Sequence, residues 1–232
     1  MSIDSAAFLH TTPPEAVSQR VHKFITIGSE TSSKTFKIAY PGNADDLLDH
    51  PSTQDAFHAD QYMPYWAELW PSSQMLGKAL MQQAWPDNHR ALEIGCGVGL
   101  AGIVALSLGM QVTFSDYDAT AVEFAAENAI ANGFTNFKKL PLDWRFPPCF
   151  QVPLLLAADV IYEERNIPPL IAFIQSVLEP DGICLLSDSD RSTRGGFCYA
   201  LKQAGLKFTR QSVSAAGHEG HEVKGSVYRI CR

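Results

Sequence analysis

Ala91-Leu92-Glu93-Ile94-Gly95-Cys96-Gly97-Val98-Gly99-Leu100-Ala101-Gly102 reads as a short apolar strand, an acid, three alternating glycines and the start of a helix. Glycine lacks a Cβ, so such a run lets the backbone turn tightly at positive φ and pass close to a bound molecule. Strand, acid, loop and helix come in the order in which a nucleoside-bearing cofactor is held.

The regular alternation spreads outward from this stretch. Upstream, Ser73 to about Gln83 has a helical pattern, with Ser72 or Ser73 as the expected N-cap. Downstream, Leu100–Leu108 reads as a buried helix ended by Gly109, and Gln111–Ser115 as a strand. Asp118 can cap a helix running to about Asn132, with Gly133 at its stop. Asn136–Leu140 is a weak strand, and Leu154–Ala158 an apolar one with both faces covered. Helix Ile167–Leu178 should stop at Pro180-Asp181-Gly182, followed by strand Ile183–Ser187 and helix Gly196–Ala204. Lys207–Ser214 and Ser226–Cys231 are β-rich with no helix between them, which implies an antiparallel pair. Residues 1–60 form an extension expected to pack on the core: a loose polar start, a hairpin from Val21–Ile27 and Thr35–Tyr40, and a polar, acidic stretch that could hold a short helix. Residues 61–232 form the main domain. The expected fold is α/β: a Rossmann-like, mostly parallel seven-stranded sheet with an antiparallel C-terminal strand and helices on both faces.

The glycine loop itself supports two readings. Gly97-x-Gly99-x-x-Gly102 fits the dinucleotide fingerprint G-x-G-x-x-G, with Asp116 at the distance of a ribose-binding acid. Glu93-x-Gly95-x-Gly97-x-Gly99 resembles the loop of S-adenosylmethionine-dependent methyltransferases. That cofactor has no pyrophosphate and little use for a helix N-terminus as an anion site. Its ribose diol, ammonium and sulfonium suit acids near the loop. The ninety residues before Ala91 and the antiparallel ending favour the second reading.

From Tyr65 onward the chain resembles the class I S-adenosylmethionine methyltransferases, and within them the seven-strand protein-lysine methyltransferases. Pro64-Tyr65-Trp66-Ala67-Glu68-Leu69-Trp70-Pro71-Ser72-Ser73-Gln74 is similar to the aromatic motif of the electron-transfer-flavoprotein β-subunit lysine methyltransferases, which usually have glycines at the positions of Ser72 and Ser73. The glycine loop, Ser115-Asp116 with Asn128-Ala-Ile-Ala-Asn132-Gly133, Leu142-Asp143-Trp144, and Asp159-Val160-Ile161-Tyr162 carry the rest, the last matching a D-x-x-Y motif. The resemblance implies S-adenosylmethionine as cofactor, S-adenosylhomocysteine as product, and a lysine of a protein as acceptor. A small-molecule N-methyltransferase is the alternative, and an NAD-binding oxidoreductase a lesser one. No Asn/Asp-Pro-Pro-aromatic motif is present, which disfavours acceptors with planar amide or base nitrogens.

Roles follow residue by residue. A carboxylate at Asp116 can accept from both ribose hydroxyls. Glu93 should point toward the ammonium end, with Gly95, Gly97 and Gly99 making room. The resemblance implies that Asp143 and Trp144 border the adenine ring, and Trp70 should cover the cofactor. Tyr117 and Ala158 complete the cofactor-binding set. Asp159 and Tyr162, beyond the fourth strand, are the expected catalytic pair, with Asp159 orienting an amine. Tyr65 and Trp66 are expected to line the substrate channel with Tyr162. His218-Glu219-Gly220-His221-Glu222 is not H-E-x-x-H and reads as a solvated turn, so no metal is expected. Asp188, Asp190 and Arg191 could edge the substrate mouth or cap.

Composition sets outer limits. The chain has 232 residues, 46% hydrophobic and 19% charged, with net charge −7, which argues against holding nucleic acid by bulk charge. Five scattered cysteines without C-x-x-C or zinc spacing suit a reduced compartment. No secretory signal or membrane-length apolar run is evident, so a cytoplasmic protein with no membrane partner is expected.

Overall fold

The computed structural model describes residues 9–29, 32–42, 44–190, 192–217 and 220–232. Its main sheet begins in chain order with β3 (Arg90–Ile94), the strand that opens into the glycine loop. In chain order the main sheet continues with β4 (Gln111–Ser115), β5 (Phe137–Lys139), β6 (Val152–Ala158), β7 (Leu178–Asp188), β8 (Lys207–Ala216) and β9 (Glu222–Cys231). Their spatial order is β5-β4-β3-β6-β7-β9-β8. β3 pairs in parallel with both β4 and β6, so the winding direction reverses at β3. β9 runs antiparallel to β7 and to β8, and it separates them.

Alternation along β6 explains why the sheet needs two covers. Leu154 and Leu156 join one core with α3 (Pro71–Met81), α4 (Leu100–Ser107) and α5 (Ala119–Ala131). Leu155 and Ala157 join the other, with α6 (Ile167–Val177) and α7 (Arg194–Gln203). Successive side chains of a strand point to opposite faces, so a continuous apolar run fills both cores.

Two boundaries differ from the expectation. α3 begins two residues early, with Pro71 at its first position and Trp70 as an N-cap that makes no side-chain cap. Proline costs nothing there, because its missing N–H would have no partner inside the helix. Ser73 instead donates its hydroxyl to the Trp70 carbonyl, at 2.7 Å. The Pro180-Asp181-Gly182 stop does not separate α6 from the next strand. Leu178 already pairs with Val152, and the register then shifts so that Leu154 faces Ile183. The breaker residues lie in that irregularity, inside β7.

The N-terminal hairpin is β1 (Arg20–Ser29) against β2 (Ser32–Pro41), followed by α1 (Ala44–Leu48) and α2 (Pro51–Asp60). Ile27, Phe36 and Ile38 are buried against the core. α5 covers the outer edge of β2 with amide side chains. Asn128 Nδ2 donates to the Ala39 carbonyl at 2.8 Å and to the Val98 carbonyl at 2.9 Å, and its Oδ1 accepts from Ala39 N at 2.8 Å. The hairpin is thereby tied to the glycine loop. Among the described residues no helix is long and apolar enough to cross a membrane.

Candidate active site

The reversal at β3 leaves a crevice beyond the C-terminal ends of the central strands, where open α/β sheets hold ligands. A cleft of about 450 Å³ lies there. Its lining includes Glu93, Gly95, Gly97, Asp116, Tyr117, Asp143, Trp144, Ala158, Asp159 and Tyr162, joined from the N-terminal side by Tyr65, Trp66 and Trp70. The ends of β3, β4 and β6, the segment after β5 and an upstream turn, far apart in sequence, thus converge on one space.

Two carboxylates dominate the side of the glycine loop. Asp116 accepts from Gly97 N at 2.9 Å through Oδ2 and from Asp118 N at 3.1 Å through Oδ1. Burial raises it to about 6 even so. Glu93 is pushed up to about 8 by burial, although Gly102 N donates to its Oε2 at 3.0 Å. That bond bears on the cofactor. Gly102 is in the first turn of α4, where a dinucleotide pyrophosphate would seat, and the protein's own carboxylate already takes its amide. A neutral diol and an ammonium fit a cleft of acceptors better than a phosphate does.

Aromatic groups form the other side. Tyr65 meets Tyr162 edge-on at 5.4 Å between ring centroids and Trp70 edge-on at 6.3 Å. Trp70 Nε1 donates to the Tyr65 carbonyl at 2.7 Å, which fixes the pair. Burial pushes the Tyr162 phenol up to about 12. Asp159, just past β6, has φ +57, a left-handed conformation unusual for a non-glycine residue. Its N–H still donates to the Ser187 carbonyl at 2.9 Å. Asp visits this region more readily than most residues, and the conformation persists where the surrounding structure holds it.

Three expected site residues have other surroundings than the sequence suggested. Trp66 lines the cleft, yet the residue is only 7% exposed and its ring lies 5.2 Å from that of Phe124 between centroids, with Nε1 donating to Asp118 Oδ2 at 3.0 Å. A buried indole N–H requires an acceptor, and the acceptor lies inward. Asp143 has both oxygens engaged by the Arg145 Nε, at 2.9 and 2.7 Å. Gly99 is absent from the cleft lining; a Cβ there would stand 2.7 Å from the Ala125 Cβ, so its smallness lets α4 approach α5. Sequence reasoning missed Arg145 and Asp60. Arg145 donates through both terminal nitrogens to Asp60, at 2.8 and 2.6 Å, and Tyr117 Oη donates to Asp60 at 3.0 Å. Arg145 and Asp60 lie 85 residues apart, a separation that carries no local signal.

Ser72 and Ser73 differ from each other in role. Ser73 lines the cleft, whereas Ser72 is buried, with Oγ 2.9 Å from the Ser189 Oγ. Arg191, His218 and Glu219 lie outside the described residues. Among the described residues, no group of three or more His, Cys, Asp or Glu side chains could hold a metal ion.

The family of lysine methyltransferases matches residues 59–203, more than half of the chain. The chain belongs to this family. Two curated relatives share the central region. One is the histidine protein methyltransferase 1 homolog of Dictyostelium discoideum, 32% identical over 43% of this chain and 35% of its own length. The other is the protein N-lysine methyltransferase METTL21A of Danio rerio, 34% identical over 43% of this chain and 49% of its own length. The chain thus spans about half or less of these relatives. A TehB-like SAM-dependent methyltransferase structure from Corynebacterium glutamicum has the same fold, with TM-score 0.54, 15% identity, and coverage of 83% of this chain and 99% of the other. The matched region begins just before the aromatic turn and contains the glycine loop, Asp116, Asp143 and Asp159. The fold is therefore the class I methyltransferase sheet, as the alternation of elements and the antiparallel ending suggested.

Proposed function

We propose that this chain is an S-adenosylmethionine-dependent N-methyltransferase whose acceptor is the side chain of a lysine in a protein. The observation that carries the reading is the two-sided cleft: buried carboxylates at Glu93 and Asp116 on the loop side, and Tyr65, Trp70 and Tyr162 around Asp159 on the other. Family membership supports the lysine acceptor.

The bound cofactor supplies a methyl group on a sulfonium. The chain's residues do the remaining work. Asp116 accepts from the ribose diol, and Glu93 in its ionised form pairs with the ammonium. The acceptor must be a neutral amine, and lysine has a reference pKa of about 10.4, so neutrality at pH 7 costs about 4.6 kcal/mol. The aromatic walls around Tyr162 desolvate the amine and lower that cost. Asp159 orients the nitrogen. With the cofactor bound, the nitrogen would take the methyl group as its bond to sulfur broke, and the nitrogen's proton would pass to water. Holding the amine in line with the methyl group would be the main contribution of these residues to the rate.

The test uses purified protein and cofactor labelled in its methyl group, incubated with lysate of the native host. A labelled protein band whose hydrolysate contains methyl-lysine is expected. Methyl-histidine in that band moves the acceptor to histidine, and label confined to small molecules overturns the protein substrate. Asp116→Ala is expected to weaken S-adenosylhomocysteine binding in calorimetry, whereas Asp159→Ala retains binding and loses turnover. Equal loss of binding in both shows that the two roles are misassigned.

A further inference from the structure

Asp118 stands two residues beyond Asp116, and as the N-cap of α5 it accepts from Thr120 N at 2.8 Å. Capping needs a single acceptor. This carboxylate is wholly buried and takes hydrogen bonds from two other stretches of chain as well. From the N-terminal segment, Thr12 donates its N–H at 3.2 Å and its hydroxyl at 2.5 Å. From the turn that walls the cleft come the Tyr62 hydroxyl and the Trp66 Nε1, at 2.5 and 3.0 Å.

Asp118 is also joined to the glycine loop. Its N–H donates to Asp116 Oδ1, whose partner oxygen holds Gly97 N. The Trp66 carbonyl lies directly above Gly97, where an added Cβ would come within 3.3 Å of it. The wall, the loop and Asp116 therefore meet around one side chain. Residues 10–12 are laid against the same corner. His10 N donates to the Tyr117 carbonyl at 3.3 Å, Ala119 N to the His10 carbonyl at 3.0 Å, and Thr120 Oγ1 to the Thr12 carbonyl at 2.8 Å. The His10 ring packs on Tyr62 in a tilted arrangement, 4.0 Å between centroids.

We propose that Thr12 and Asp118 are positioning residues for the cofactor cleft: Thr12 fixes the Asp118 carboxylate, and Asp118 holds the Tyr62–Trp66 wall against the glycine loop. This rests on the reading of the cleft as an S-adenosylmethionine site. Thr12 is not among the residues that line the cleft, so any effect it has on cofactor binding passes through Asp118 or through the Tyr62 hydroxyl, 3.5 Å from the Thr12 Oγ1. Weakening the corner lowers the share of molecules with the wall in place, and apparent affinity falls by that share.

Thr12→Val, in the full chain, removes the hydroxyl and keeps shape and burial. Calorimetry with S-adenosylhomocysteine is expected to give a dissociation constant raised about tenfold, the scale of one hydrogen bond to a charged acceptor. Turnover at saturating cofactor stays at the wild-type value, so KM for the cofactor moves and kcat does not. Thr12→Ser restores the donor and with it the affinity. Tyr62→Phe reproduces the loss, and combined with Thr12→Val it falls short of the product of the two effects, because both act on one carboxylate. Wild-type affinity in Thr12→Val overturns the inference, as does equal loss in Thr12→Val and Thr12→Ser. If the wild-type protein itself binds no S-adenosylhomocysteine, the cofactor reading falls and this inference with it.

Discussion

Glu93 and Gly99 occupy the same loop and answer to different physics. Burial raises Glu93 to about 8 from a reference of 4.5, against the hydrogen bond from Gly102 N. Over that interval the folded chain keeps a proton that the unfolded chain has released, so stability falls as pH rises. Asp116, raised to about 6, acts in the same direction at lower pH. Glu93→Gln is therefore expected to flatten the decline in thermal midpoint between about pH 6 and pH 8, read by calorimetric melting across that range. The same variant should bind S-adenosylhomocysteine more weakly at pH 8, where wild-type Glu93 can ionise opposite the ligand's ammonium. At Gly99 the constraint is steric. With φ +84 and Ala125 at 2.7 Å from the ideal Cβ, Gly99→Ala meets both backbone strain and a collision between helices. A loss of about 2–5 kcal/mol is expected in urea unfolding. The E-x-G-x-G-x-G spacing was legible in the sequence; that its last glycine faces α5 was not, because the spacing says nothing about the neighbouring helix. Trp66 illustrates the same limit. Its place in the aromatic turn could be read, but the direction of its ring depends on an acceptor 52 residues away.

Among the elements, most of the strands and helices could be read because both periodicities were intact and glycines stood at the stops. The junction of α6 and β7 could not, because Leu178 pairs with Val152 before the breaker residues are reached. Pairing across a sheet overrode a local stop signal. α2 presents a similar case. It ends over the cleft, and two arginines hold its end: Arg145 reaches Asp60, and Arg165 reaches the Gln61 side chain and carbonyl. Arg145 and Asp60 are each about two-fifths exposed (41% and 38%), so their pairing stabilises the fold by about 1 kcal/mol at most. Its larger effect is local. Arg145→Ala is expected to speed amide exchange across Pro51–Asp60 while leaving the exchange of β3 and β6 unchanged. Uniform acceleration in mass-spectrometric exchange would show that the pair supports the whole fold rather than this element.

At the scale of the whole molecule, the cleft is assembled from the loop after β3, the ends of β4 and β6, and the turn before α3, so a ligand that bridges them stabilises everything it touches. Binding only to the folded state adds about 2.7 kcal/mol at a ligand concentration of 100 times Kd. For a chain of this size that corresponds to a rise in Tm of about 5–10 °C. S-adenosylhomocysteine is expected to give such a rise, and NAD at the same concentration none. An equal rise with NAD would contradict the argument from the occupied amide of Gly102. The formal net charge of −7 gives no information about any of this, since the two carboxylates on the glycine-loop side, Glu93 and Asp116, are buried.

The placement of β9 sets the timetable for biosynthesis. β7 carries Ser187, whose carbonyl holds the backbone of Asp159, and its other edge is closed only by Glu222–Cys231. A nascent chain that has emerged as far as β8 has every residue of the cleft and still exposes the flank of β7. β8 cannot fill that place, because β9 must lie between them. Until those last ten residues of β9 leave the ribosome, the half-made protein offers an open edge to other strands and to chaperones.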